Sequence, residues 1–304
     1  MSDPSSSTLD AFRGDTTYLG ADHRRNERRT WIVAGISLAT MVVQIGGGLA
    51  FHSMALVANG IHLAAHVVAL TAAAVAYRVA SAYAGDHRFA FGAGKVGYLV
   101  GFANAIVLAV TALLIAVESL HVLMAPAPVD YGQATLLAGA GLVVNLACIW
   151  LLRPTMSHAH DRDGDLNLSA SHLHLSADAV MSVLTIVGLT AGRYLGWHWA
   201  DPIAALGGAA LVAQFAWSLL KRAGAVLLDF NPSSQLTAEV RGRLEAVGAK
   251  VLDLHLWRLG PGHHATIVVL TQDHPLPVSD YHRSLADLAG LSHVTIEIRS
   301  DIRT

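Results

Sequence analysis

Six stretches of this chain are apolar for long enough to cross a lipid bilayer, and no water-soluble domain buries that many. A helix needs about 20 apolar residues to span the ~30 Å hydrocarbon layer. Residues 31–51, 96–117, 131–152 and 202–220 meet that length without a charged side chain. Residues 53–77 and 166–192 meet it too, but carry His62, His66, His172, His174 and Asp178 within them. Lipid offers backbone amides no partner, so each run is expected to be a helix that satisfies its own hydrogen bonds. Six crossings put both termini on one side of the membrane.

The basic residues say which side, because short cytoplasmic connections are enriched in Lys and Arg. Arg24, Arg25, Arg28 and Arg29 precede the first run, and Arg78, Arg88 and Lys95 follow the second. Arg153 and Arg162 follow the fourth, and Lys221 and Arg222 follow the sixth. The connections on the other side hold only Arg193. Both termini are therefore expected in the cytoplasm and the chain in the inner (plasma) membrane. The first residues are rich in Ser, Asp and Arg and lack the apolar core of a secretory signal, so 1–29 reads as a mobile cytoplasmic arm.

Composition agrees. Charged residues make up 14% of the chain, against about 25% in ordinary soluble proteins, and the mean hydropathy is +0.47. A formal net charge of -2 gives no electrostatic case for a nucleic-acid partner. The single cysteine, Cys148, excludes an intrachain disulfide and a multi-thiolate metal site.

Beyond Arg222 the periodicity changes. SSQLTAEVRGRLEAVGA reads as an amphipathic helix, VLDLHLWRL and ATIVVLT as strands joined by the turn-forming GPGHH, SDYHRSLADLAG as a second helix and HVTIEIR as a third strand. The fold class is thus an α-helical polytopic membrane protein with six transmembrane helices over 30–222. A C-terminal cytoplasmic α+β domain of αββαβ, ferredoxin-like order follows over 223–304.

The polar residues inside the apolar runs carry the chemistry. His62 and His66 are four apart, as are His174 and Asp178, and residues at that spacing share a helix face. If the second and fifth helices touch, three imidazoles and one carboxylate converge near mid-membrane, a donor set suited to a tetrahedral first-row divalent cation. A lone membrane histidine can equally serve as a packing hydrogen bonder. An Asp at a helix centre costs about 2.5–3.5 kcal/mol on insertion scales, however, and two pairs at one spacing favour a shared site.

The segments HSMALVANGIHLAAHVVAL, FGAGKVGYLVGFANAIVLAV, DLNLSASHLHLSADAVMSVLTIVGL, DLHLWRLGPGHHATIVVL and LSHVTIEI together resemble the cation diffusion facilitator family of metal exporters. The resemblance covers nearly all of the chain after the N-terminal arm. It implies a secondary transporter rather than an enzyme, a homodimer, and proton-coupled antiport by alternating access. It also implies a transport site at His62, His66, His174 and Asp178, with the cation as cargo and no catalytic cofactor. Zinc-type members commonly have Asp where this chain has His66, and manganese-type members favour two aspartates on the second helix. Three imidazoles make a softer site, and with the ERRTW entry and HLWRLGPGHHATIV tail the chain resembles most a cobalt and nickel exporting branch, with Zn²⁺ as the alternative cargo. Imidazole binds metal only when unprotonated and titrates near pH 6.5, so protons taken up from outside would displace the ion.

Several other residues carry two readings. Asn59 shares the face of His62 and either orients an imidazole or packs against a neighbouring helix. His172 points away from His174. His158, His160 and Asp161 are either a cation-gathering loop or simply a solvated one. Asp86 and His87 are the only candidate ligands left after the second span, and no strong site is expected there. In the tail, His263, His264 and His282 are candidates for an accessory metal site, against plain dimerisation. Lys95 and Asp229 match positions of a charged interlock at the family's dimer interface, or else form a surface pair. GAGKVG lacks the βαβ context of a dinucleotide site, and its glycines, with those of QIGGG, suggest close helix contacts. The rival from another class is a membrane di-iron oxidase or hydroxylase, in which H-x-x-x-H also occurs. Such an enzyme needs several histidine boxes at the cytosolic face.

Overall fold

The computed structural model describes residues 18–19, 22–50, 54–86, 88–125, 131–152, 166–230 and 234–299. Long helices form where the apolar runs lie: α1 (His23–Ala50), α2 (Met54–Ala82), α3 (Val96–Met124), α4 (Tyr131–Leu151), α5 (Leu166–Leu195) and α6 (Ala200–Leu227). Five of them are long and apolar enough to span a bilayer, and His66–Ala82 of α2 forms a shorter apolar helix among the described residues. α1 packs along α2, α3 along α6, and α5 lies between α4 and α6. Their outer faces carry large exposed aliphatics such as Val43, Leu113 and Leu136. In water such a surface would aggregate; against acyl chains it needs no cover.

Two boundaries differ from the sequence expectation. α1 starts at His23, inside the stretch read as an arm, because its first turns have polar partners on α2. The His23 Nε2 lies 2.8 Å from the Tyr77 carbonyl and 2.9 Å from the Ser81 hydroxyl. Thr30 is fully buried and donates to the Asn26 carbonyl. Further upstream, Tyr18 is buried against Leu259 and Ala265 of the C-terminal sheet. At the other boundary α6 runs on to Leu227, past Lys221 and Arg222, and the chain turns through Asp229 at φ 56. This is a left-handed conformation that Asp tolerates better than most residues.

After the bundle come α7 (Ser234–Ala246), β1 (Lys250–Gly260), β2 (His263–Thr271), α8 (Val278–Leu285) and β3 (Leu291–Ile298), in the expected αββαβ order. β1 pairs antiparallel with β2 through a hairpin whose Gly262 takes a positive φ of 75. β3 lies parallel to β2, which requires the crossover that α8 supplies. Val240 and Leu244 of α7 and Tyr281 and Leu285 of α8 bury against Val251, Val268 and Leu270, making one small core beneath the helices.

The α2–α3 connection rests on this sheet. Phe91 meets Trp257 edge-on with ring centroids 5.4 Å apart, and also contacts His293 at 5.8 Å. Lys95 donates to the Asp229 carboxylate within the same chain. At Gly94 the approach is so close that a Cβ would lie 2.4 Å from the Leu259 carbonyl oxygen and 2.8 Å from that of Tyr18. The glycine of GAGKVG therefore admits a strand end rather than a neighbouring helix, and Gly46 of QIGGG faces open space. The start of α1, the α2–α3 connection and the end of α6 all lie at the sheet-domain end of the bundle.

Candidate metal centre

α2 and α5 run past each other with little contact elsewhere, and their polar residues meet at the crossing. His66 Nδ1 lies 2.9 Å from His174 Nε2 and 3.1 Å from Asp178 Oδ2. His174 Nε2 lies 3.7 Å from the same carboxylate oxygen. The two imidazoles are edge-on, at 87° and 4.8 Å between centroids. The three side chains are only 10–16% exposed, so this polar group sits inside the bundle rather than on its lipid face. Each contributes one donor atom, and the three atoms lie within 4.8 Å of one another. Two nitrogens and an oxygen at that separation can close around one small divalent ion at ~2.0–2.2 Å from each after a modest adjustment. Among the described residues this is the one such group of three.

His62 stands one turn before His66 in α2, on the helix face that His66 shares. Its side chain, and that of Asn59, lie outside the described residues, as do His87, His158, His160 and Asp161. Around Asp178, α5 carries two serines whose hydroxyls donate back to the carbonyl four residues earlier, Ser176 to His172 and Ser182 to Asp178. Such bonds occupy the hydroxyls locally and tend to bend a helix.

The environment on the two sides of the group is unlike. A cavity of about 230 Å³ runs from His66, His174 and Asp178 past Ser37, Gln44, Thr111, Asn145 and Thr185. Thr185 is eleven residues beyond His174 along α5, or about 16 Å of rise, in the direction away from the sheet domain. The cavity is lined on the α1 side by a polar stripe, Ser37, Thr40 and Gln44 at i, i+3 and i+7, whose helical spacing is legible in the sequence. On the sheet-domain side the path is filled. Val33 of α1, Leu70 of α2, Cys148 of α4, Leu152 just beyond it and Leu168 and Leu175 of α5 form a cluster of buried side chains. Leu70 is one turn past His66, and Leu168 precedes His174 by six residues, so this plug lies directly beneath the polar group. Asn104 reaches from α3 to the Ala69 carbonyl beside it, at 3.4 Å.

The tail candidates do not assemble. His263 and His264 are neighbours on β2 and point to opposite faces of the sheet. His263 bonds Ser292 at 2.7 Å and reaches the Leu19 carbonyl at 3.4 Å. His264 is held between the Arg258 guanidinium at 3.4 Å and the Gly290 carbonyl at 3.3 Å, a satisfied buried imidazole. His282 is exposed on α8 and belongs to no group of three among the described residues. Asp86 is gripped by Arg88, which donates to both carboxylate oxygens, and that carboxylate pushes the Arg88 pKa up.

Comparison with known proteins adds to this geometry. A family model described as the cation efflux transmembrane domain matches residues 30–228. The chain is 31% identical to the zinc transporter ZitB of Escherichia coli, over 90% of this chain and 87% of that protein. It is 25% identical to the cadmium, cobalt and zinc/H(+)-K(+) antiporter of Bacillus subtilis, over 93% of each. It is 28% identical to the metal cation efflux system protein CzcD of Cupriavidus metallidurans, over 92% of this chain and 90% of that protein.

Proposed function

The chain belongs to the cation efflux family, the cation diffusion facilitators, and on that footing we propose that it exports divalent transition-metal ions from the cytoplasm in exchange for protons. It is a membrane transporter and not an enzyme, so the oxidase alternative is set aside. The observation that carries the finer reading is the meeting of His66, His174 and Asp178 between a polar cavity and an apolar plug. With His62 as a fourth donor one turn away, the set would be three imidazoles and a carboxylate.

That donor set favours borderline-soft ions over Mn²⁺ or Mg²⁺. Our reading keeps Co²⁺ and Ni²⁺ as the preferred cargo, because an imidazole stands at position 66 where an aspartate is the commoner choice. Zn²⁺ is the second reading, favoured by the likeness to a zinc transporter. Cargo enters from the cytoplasm, where we place both termini and the sheet domain. The cavity directed away from that domain, with the plug closed beneath, corresponds to an outward-facing state. In the opposite state the plug parts and the cavity narrows. Protons arriving from outside compete for the imidazoles and release the ion, as expected when ligands must be unprotonated to bind. We take the working unit to be a homodimer, with a transmembrane domain that extends to the end of α6 and a dimerising domain formed by the αββαβ unit beyond it. Lys95 and Asp229 pair beside the α2–α3 connection within each protomer.

The test is uptake of Co²⁺, Ni²⁺, Zn²⁺ and Mn²⁺ into proteoliposomes under an imposed pH gradient, comparing the wild type with His66→Asp. Flux that depends on the gradient and a shift of the variant toward Zn²⁺ support the reading. Flux unaffected by the gradient removes the proton coupling, and equal preference in both proteins removes the selectivity argument.

A further inference from the structure

A second cavity, a shallow depression of about 710 Å³ that is wide open to the outside, lies on the flank of the bundle at its sheet-domain end. It is lined by Arg24, Glu27, Arg28, Trp31 and Ile32 of α1 and by Arg78 and Ser81 of α2. We propose that it binds the phosphate headgroup of an anionic phospholipid from the adjoining leaflet. This inference rests on the chain being a membrane protein and not on what it transports.

The residues are ordered as an anionic lipid is. Arg24, Arg28 and Ile32 stand one turn apart and Trp31 fills the same stripe, so all four share a face of α1. From Arg24 to Trp31 the rise is about 10 Å, more than the ~5–7.5 Å depth of one headgroup layer, so the indole falls below that layer. Guanidiniums therefore stand at headgroup level, and an indole and an aliphatic side chain stand where acyl chains begin. Trp31 and Ile32 are 37% and 43% exposed, open to the lipid side. Indoles favour that depth because one edge is wet and the other apolar.

Charge points the same way. Arg24, Arg28 and Arg78 are exposed and, among the described residues, have no hydrogen-bond or ion-pair partner, whereas the neighbouring Arg25 is paired with Asp22 at 2.6 Å. Glu27 is the single carboxylate in the lining, so three cations face one anion. The first turns of α1 add positive potential to the cavity and the last turn of α2 adds negative potential, so the two helix ends offset each other and the arginines carry the charge. The cavity is preorganised as well: the His23 ring bridges to the Tyr77 carbonyl and the Ser81 hydroxyl, fixing the end of α2 that carries Arg78 against the start of α1. Arginine forks match phosphate oxygens better than a point charge does. Basic pockets between transmembrane helices on one membrane face are a general means of holding such headgroups.

The test uses the purified full-length chain in neutral detergent, with bound lipid counted by native mass spectrometry. Phosphatidylglycerol, phosphatidylcholine and inorganic phosphate are the probes. The wild type is expected to retain phosphatidylglycerol over phosphatidylcholine, and inorganic phosphate at the same concentration is expected not to displace it. Each of Arg24→Gln, Arg28→Gln and Arg78→Gln should weaken retention about fivefold, and the triple variant should lose the preference. Arg193→Gln, which removes one positive charge at the opposite end of the bundle, should retain it. A triple variant that still prefers phosphatidylglycerol, or an equal loss in Arg193→Gln, overturns the proposal. So does displacement by inorganic phosphate, which would mark a site for free anions. If the triple variant does not fold, the single Arg28 and Arg78 variants decide at fivefold each. Lipid counting needs no metal flux, so its failure and a failure of the transport reading are separate results.

Discussion

His66 and His174 are 108 positions apart in the chain, yet their ring nitrogens approach to 2.9 Å inside the bundle. The first consequence concerns binding. If these nitrogens and the Asp178 carboxylate hold the transported ion, Ala at any of the three removes a direct donor and should weaken Co²⁺ or Zn²⁺ binding by more than about 100-fold, the upper end of what loss of an orienting partner costs. Isothermal titration of detergent-purified variants measures it. Binding within tenfold of wild type in all three would place the ion elsewhere.

Proton release follows from the same donors. Imidazoles bind metal only when neutral, and their ordinary pKa is ~6.5. Affinity should therefore fall as pH drops, with protons released to solution when the ion binds to the protonated site. Titrating metal into weakly buffered protein and following a pH indicator gives the count, and a release of zero at every pH contradicts the assignment.

The plug beneath the site contains the chain's only cysteine, Cys148, which is 1% exposed. It is a native reporter of whether that side is open. A water-soluble maleimide should label it slowly in the state described and faster in Leu70→Ala or Leu168→Ala, which thin the plug. Each truncation should also cost about 2–5 kcal/mol of stability, as loss of buried leucine side-chain volume does. Equal labelling in wild type and variants would mean that these leucines do not close the path.

Gly94 fixes the α2–α3 connection to the sheet domain. Gly94→Ala places a methyl 2.4 Å from the Leu259 carbonyl, against backbone that cannot rotate away. The domain should shift off the connection at a cost of about 1–3 kcal/mol. Faster amide exchange at the end of β1 and loss of the Phe91–Trp257 contact in fluorescence are the expected signs. Arg88→Ala, which removes an exposed surface pair, should leave both unchanged.

Lys95 and Asp229 are 29% and 54% exposed, so their pairing should be weak. A double-mutant cycle with alanine is expected to give a coupling of ~0–1 kcal/mol, falling as salt is added. A coupling well above that, found only at protein concentrations where the chain dimerises, would place the pair in an interface.

The sequence by itself determined what depends on local pattern. Apolar runs of bilayer length dictated six helices, the change to alternating apolar residues after Arg222 dictated a strand-bearing domain, and a spacing of four put His174 and Asp178 on one face of α5. Each of these follows from the period of the backbone and the cost of exposing amides to lipid, which are properties of neighbouring residues. Tertiary structure alone decided which side chains meet across the chain. Nothing local says that Leu70, Cys148 and Leu168 would pack into one cluster on one side of His66, that Ser37 and Thr185 would line the space on the other, or that Tyr18 would lie against Gly94 and Gly260. His263 and His264 resemble ligands in the sequence, but strand alternation separates them and hydrogen bonds engage them. The difference is physical: helix and strand are set by each segment's own hydrogen bonds and polarity, whereas a gate or a site requires distant segments to be packed first.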